Sequence, residues 1–154
     1  MKSESLRSST SDAASGDDPP SGVVEVRNGS RVLIVEDDRD AAEVLAESLE
    51  LAGHEALIAL DAQEAMKLVL GFAPEVALLD LGLEHADGCE LAVALKAMPG
   101  LRGCRLIACT GFTDALTRQR CVESGFDHHL AKPIDMNLLL QMIAGGPELR
   151  PRSG

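Results

Sequence analysis

From Arg31 onward the chain alternates short apolar runs with stretches whose apolar residues recur at helical spacing, five times over. The runs are Arg31-Val32-Leu33-Ile34-Val35, His54 to Leu60, Val76-Ala77-Leu78-Leu79, Arg105-Leu106-Ile107-Ala108-Cys109 and His129-Leu130-Ala131. Near-continuous apolar runs of this length read as strands covered on both faces. Their alternation with helices predicts an α/β fold, a parallel sheet with helices on either side. Right-handed crossovers leave few topologies for such a chain.

Helix limits follow from punctuation. Val44, Leu45, Leu49 and Ala52 predict a first helix over Arg39 to Ala52, stopped by Gly53. Asp61 with Glu64 three residues later reads as a variant capping box opening a second helix that ends near Gly71, with Pro74 ahead of the third strand. A third helix is expected from about Asp87 to Met98, before Pro99-Gly100, and a fourth from about Thr113 to Ser124, with Gly125 as its stop. Asp135 is placed to cap a last helix through Met142 or Ile143. That helix carries Met136, Leu138, Leu139, Leu140, Met142 and Ile143, more than one buried stripe requires, so either some of them, Leu139 and Leu140 among them, form an outward apolar strip or the helix is wholly buried.

Composition narrows the organisation. With 154 residues there is room for one domain, and with aromatics at only 2% its core must be aliphatic. Residues 1–29 are rich in Ser, Asp, Gly and Pro and are expected to be a disordered tail, with a short extended arm at Val23, Val24 and Val26. The folded unit is expected over 30–145, followed by a short flexible tail over 146–154. A formal charge of -11 opposes nucleic acid and anionic membranes as direct partners. No apolar stretch approaches the ~20 residues of a membrane span and no signal region precedes the domain, so a cytoplasmic protein is expected. Cys89, Cys104, Cys109 and Cys121 lack metal-site spacing and read as reduced thiols, Cys109 as core packing.

The polar residues at the strand ends carry the chemistry. Glu36 and Asp37 follow the first run, Asp80 closes the third, Thr110 ends the fourth, and Lys132-Pro133 follows the fifth. In an open parallel sheet these ends converge at the ligand-binding edge. Two carboxylates ~4 Å apart repel by about 4 kcal/mol at an effective dielectric of 20, so three need a cation, and oxygen ligands of this kind suit magnesium. Alone, Glu36-Asp37-Asp38 reads first as a solvated acidic loop. Beside it, however, Asp80 has the makings of a carboxylate nucleophile toward phosphorus, with the Lys132 ammonium and the Thr110 hydroxyl to meet the developing charge. The ordinary roles of those two are a surface lysine before a turn proline and a helix cap. Gly111 leaves room for a phosphoryl group.

Val-Leu-Ile-Val-Glu36-Asp37-Asp38, Leu-Leu-Asp80 with Asp87-Gly88, Cys-Thr110-Gly111 and Ala-Lys132-Pro133, in that order and spacing, resemble the response-regulator receiver domain over about residues 30 to 145. The resemblance implies a flavodoxin-like, doubly wound five-stranded parallel sheet of order 2-1-3-4-5. It implies that Asp80 is the phosphoacceptor for a phosphohistidine on a sensor histidine kinase or histidine phosphotransfer protein. It further implies Mg2+ held by Asp37 and Asp80 directly, by Glu36 largely through water and by the backbone carbonyl of Gly82. Lys132 and Thr110 then hold the acyl phosphate. Thr110 and the switch position, His129, report it to a surface made of the fourth helix, fifth strand and fifth helix, where a downstream protein or a second copy would dock.

Two departures stand out. Glu84 occupies a position where the family usually has proline, with His85 beside it, and His129 replaces the usual Tyr or Phe at the switch. The imidazole makes a pH-sensitive switch conceivable, whereas burial favours its packing as a small neutral aromatic. The implied function is a phosphorylation-dependent switch of a two-component or phosphorelay system, not an enzyme acting on other substrates. A receiver fragment of a hybrid histidine kinase and a phosphorylation-independent interaction module are the alternatives. A flavin carrier is disfavoured because Glu36-Asp37-Asp38 would repel its phosphate, and a phosphatase because no insertion supplies a substrate pocket.

Overall fold

The computed structural model describes residues 29–83, 86–112 and 114–145. The expected tails over 1–28 and 146–154, the Val23 arm, Glu84, His85 and Thr113 lie outside the described residues. Strands β1 (Arg31–Val35), β2 (Glu55–Ala59), β3 (Val76–Asp80), β4 (Arg105–Thr110) and β5 (His128–Ala131) alternate with helices α1 (Arg39–Leu51), α2 (Ala62–Phe72), α3 (Gly88–Lys96), α4 (Ala115–Ser124) and α5 (Met136–Ile143). All pairings are parallel and the order is β2-β1-β3-β4-β5, so the predicted fold is the one observed.

Alternation along the strands splits the core in two. Leu33, Val35, Ala77, Leu79, Leu106 and Ala108 face α2, α3 and the Cys121 side chain of α4. Their neighbours Val32, Ile34, Val76, Leu78, Ile107 and Cys109 face α1 and α5. Cys109 is therefore core packing, and burial pushes its thiol well above the ordinary range.

Each described α-helix opens on an aspartate whose carboxylate accepts backbone N–H bonds from the first turn: Asp38, Asp61, Asp87, Asp114 and Asp135. The second-helix box is displaced by one residue, because Glu64 Oε1 accepts from Leu60 N at 2.8 Å while Asp61 Oδ1 accepts from Glu64 N at 2.7 Å. Leu60 thus leaves the ladder, and His54 leaves it at the other end because its N–H donates to Leu49 O at 3.0 Å, while its Nδ1 accepts from Ser30 N.

The structure refines the helix ends and decides readings the sequence left open. Helix α2 runs past Gly71 to Phe72 and ends on Ala73 in the left-handed region at φ 51°. The Arg31 side chain supports that end, donating to Phe72 O at 3.1 Å and Ala73 O at 2.9 Å. Helix α3 stops at Lys96, and Pro99 to Leu101 form a separate 3-10 turn, because a proline drives the preceding Met98 to an extended conformation. Helix α4 is capped by Asp114, so Thr110 does not cap it. Leu139 faces inward and is completely buried, since α5 docks through the Leu139, Met142, Ile143 stripe; Leu138 is the residue turned out, at 39% exposed.

Candidate functional site

Asp80 ends the central strand, where β1 on one side and β4 on the other bring their own carboxyl ends level with it. Its residue is only 7% exposed, as is Glu36, while Asp37 is exposed. Glu36 is held in place by its N–H, which donates to Ala59 O at 3.1 Å, and by Oε2, which accepts from Asp38 N at 3.1 Å. Asp80 Oδ1 accepts from Gly82 N at 2.9 Å. The structure brings Glu36, Asp37 and Asp80 together, with one carboxylate oxygen from each within 4.8 Å of the others.

Lys132 reaches this cluster from the end of β5. Its own N–H donates to Thr110 O at 2.9 Å, extending the ladder with β4 by one residue. The ammonium then lies 3.1 Å from Asp80 Oδ2 and 3.3 Å from Glu36 Oε1. The Lys132–Pro133 peptide is cis. Burial opposes the charge on Lys132, but the hydrogen bond to Asp80 and the fields of Asp80 and Glu36 outweigh it and raise its pKa. For Glu36, burial raises the carboxyl above its usual range and the Asp80 charge adds to it, against the Asp38 N–H and Lys132.

On the β4 side of Asp80 an open cleft of about 280 Å³ is lined by Asp80, Gly82, Thr110, Phe112, Arg120 and Lys132, among others. Thr110 is buried, with Oγ1 accepting from Phe112 N at 3.0 Å. A Cβ at Gly111 would meet nothing within 4 Å, so the space that residue leaves is open. Gly88 is the tight position: a Cβ there would lie 2.9 Å from Asp80 O and from the Cα of Leu81, which lets α3 start directly against the loop after β3. A second cleft, about 440 Å³, lies beside Asp37, Leu60, Asp61 and Leu83, away from Thr110 and Lys132.

His129 pairs with Ala108, two residues before Thr110, so His129 and Thr110 share the sheet face that α4 covers. Its Nε2 is buried without a hydrogen-bond partner, and burial together with the nearby Arg118 charge lowers its pKa. The ring is therefore held neutral, in keeping with packing as a small aromatic. The sequence reading passed over Arg120 and Thr117 of α4, which line the cleft. No local pattern marks them, because only the docking of α4 brings them near Asp80.

A family model described as the response regulator receiver domain matches residues 32–144. The chain belongs to the response regulator receiver family. The transcriptional regulatory protein PrrA of Mycobacterium tuberculosis is 33% identical over 125 residues, 80% of this chain and 51% of that protein. An uncharacterised 14.6 kDa protein of Leptolyngbya boryana is 30% identical over 112 residues, 73% of this chain and 86% of the relative. Among solved structures, a CheY-like receiver from Methanospirillum hungatei matches with a TM-score of 0.70 and 27% identity, covering 76% of this chain and 92% of its own. This receiver thus spans about half the length of PrrA. Its role is that of a phosphoacceptor signalling domain of two-component systems. Among the described residues no helix is long and apolar enough to cross a membrane.

Receivers bind Mg2+ at an acidic pocket, and the residues here fit that ion. Three hard oxygen donors converge, one carboxylate oxygen from each of Glu36, Asp37 and Asp80 within 4.8 Å of the others, with the Lys132 ammonium against two of the three carboxylates.

Proposed function

We propose that Asp80 accepts the phosphoryl group, and the observation that carries this reading is the Lys132 ammonium bridging Asp80 and Glu36 at 3.1 and 3.3 Å. Such a cation lies directly against the acceptor carboxylate and stands where phosphoryl oxygens would gather negative charge. Asp37, Asp80 and the Gly82 carbonyl are the direct ligands we assign to Mg2+, with Glu36 acting through water. The bound ion supplies neutralisation of the phosphoryl oxygens.

In the transfer an Asp80 oxygen forms the new O–P bond as the P–N bond of a phosphohistidine breaks, and the electron pair returns to the imidazole nitrogen. Thr110 and Lys132 then hold the phosphoryl oxygens of the acyl phosphate. Attack by water on the same phosphorus releases inorganic phosphate and restores the carboxylate. The donor in this reading is a sensor histidine kinase or histidine phosphotransfer protein. The consequence is altered affinity for a downstream protein or a second copy, signalled through Thr110 and His129. Net charge -11 argues against direct nucleic-acid binding, and we place the chain in the cytoplasm. A receiver belonging to a hybrid kinase is the second reading, supported by 28% identity to the receiver of a signal transduction histidine kinase from Syntrophus aciditrophicus, at TM-score 0.69.

Incubation with an acyl phosphate donor and magnesium tests the assignment by intact-mass spectrometry. The chain is expected to gain one phosphoryl group and the Asp80→Asn variant none. Equal mass gain at equal rate in Asp80→Asn overturns it.

A further inference from the structure

Helix α4 is held to the domain by little apolar surface. Cys121 is its one buried residue, while Leu116 and Val122 are 69% and 53% exposed. Polar contacts must therefore share in placing it. Arg120 makes the conspicuous one, with Nη2 2.9 Å from Asp87 Oδ2. Asp87 opens α3 and uses its other oxygen, Oδ1, to accept from Cys89 N at 2.8 Å. The cap and the ion pair thus use separate oxygens of one carboxylate.

The same Arg120 lines the cleft that contains Asp80, Thr110 and Lys132. Among the described residues lining that cleft, only Lys132 and Arg120 are cationic. Lys132 is already shared between two carboxylates, whereas Arg120 has its planar fork against one oxygen of an anion that is partly solvated. A phosphoryl group offers such a fork two or more oxygens and more charge than a single carboxylate does.

We propose that Arg120 is a positioning residue that exchanges partners. Paired with Asp87 it straps α4 to the start of α3, and a phosphoryl group on Asp80 draws the guanidinium into the cleft and shifts α4 with it. The proposal rests on Asp80 being the acceptor. It adds a mechanical route from the cleft to α4 that runs through a charge rather than through Thr110 and His129. Because Asp87 and the phosphoryl group compete for one guanidinium, removing Arg120 and removing the Asp87 charge must act with opposite sign on phosphoryl binding.

That opposition is the test. Beryllium fluoride with magnesium serves as the phosphoryl mimic, its affinity for the full chain read by titration and the backbone exchange of residues 115–124 by hydrogen–deuterium mass spectrometry. Arg120→Ala is expected to weaken the mimic by about 5-fold or more and to leave α4 exchanging fast whether or not the mimic is present. Asp87→Asn keeps an oxygen for the Cys89 cap but releases Arg120; it is expected to loosen α4 without the mimic, to bind the mimic several-fold more tightly and to regain protection when it binds. Arg120→Lys, which keeps the charge but not the fork, is expected to fall between Arg120→Ala and the native chain. If Arg120→Ala and Asp87→Asn shift the affinity in the same direction, or neither shifts it, the pair is a structural strap and the exchange of partners is refuted. That result leaves the acceptor assignment standing, because the latter fails only if Asp80→Asn is still phosphorylated.

Discussion

Lys132→Met removes the cation and keeps most of the apolar stem, so it isolates the charge. Each of the contacts at 3.1 and 3.3 Å is worth about 5 kcal/mol in gross attraction at an effective dielectric of 20. The Lys132 side chain is 36% exposed, so water screens much of this and the net loss is on the order of 2 kcal/mol. For a domain of this size that corresponds to a fall of roughly 8 °C in Tm without divalent ions. Magnesium places positive charge against the same carboxylates, so saturating magnesium is expected to recover at least half of the deficit, and the variant's magnesium affinity should be unchanged or tighter. Phosphoryl loading from an acyl phosphate donor should nevertheless be strongly slowed, because the ammonium also serves the transferring group. Thermal unfolding with and without magnesium, a magnesium titration and intact-mass time courses give these quantities. An unchanged Tm in the absence of magnesium, or a magnesium affinity that collapses with the lysine, would show that Lys132 does not neutralise the acids as described.

Glu36→Gln should raise Tm at pH 7 and weaken magnesium binding: because the folded carboxyl is raised above its ordinary 4.5, its contribution to stability is present below that value and lost as pH rises through the folded pKa, so the gain in Tm should vanish near pH 4 in a pH series. His129 and His54 are both lowered, chiefly by burial, from an ordinary value of 6.5. Their contribution is complete above that value and lost as pH falls below it, and His129→Phe should reduce the loss between pH 7 and pH 5 in chemical denaturation. Leu139→Glu, which buries a carboxylate in a fully enclosed site, should destabilise by more than about 4 kcal/mol, whereas Leu138→Glu should stay within about 0.5 kcal/mol, as measured by urea unfolding.

The strands were legible because a strand buried on both faces has almost no polar residues until it reaches the sheet edge, which is also why Asp80, Thr110 and the Glu36-Asp37 pair marked that edge so clearly. Helix starts were nearly as legible, through their aspartates. Helix ends were less so. Nothing local to Gly71 reveals that Arg31, about forty residues earlier, will receive the carbonyls of Phe72 and Ala73. In Leu138-Leu139-Leu140 composition alone leaves the facing open, and the choice is made by where α5 meets β1, β3 and β4. Arg120 and Asp87 stand 33 residues apart, with no periodic relation, and become neighbours only once α3 and α4 lie side by side.

The strand order itself explains why these few residues suffice. With β3 in the centre, Asp80 has the acids of β1 on one flank and the polar ends of β4 and β5 on the other. On the proposed reading, the groups assigned to magnesium and those assigned to the phosphoryl group lie on opposite sides of one carboxylate, and Lys132 crosses from β5 to touch both Asp80 and Glu36. The β1 side is rigid, since Glu36 extends the ladder to β2 and Asp38 caps a helix with four buried residues. Across the site α4 offers one buried side chain and an ion pair. If Asp80 is the acceptor, as proposed, a change of charge there meets more firmly anchored structure on one side than on the other, and that difference in attachment would direct the response toward α4.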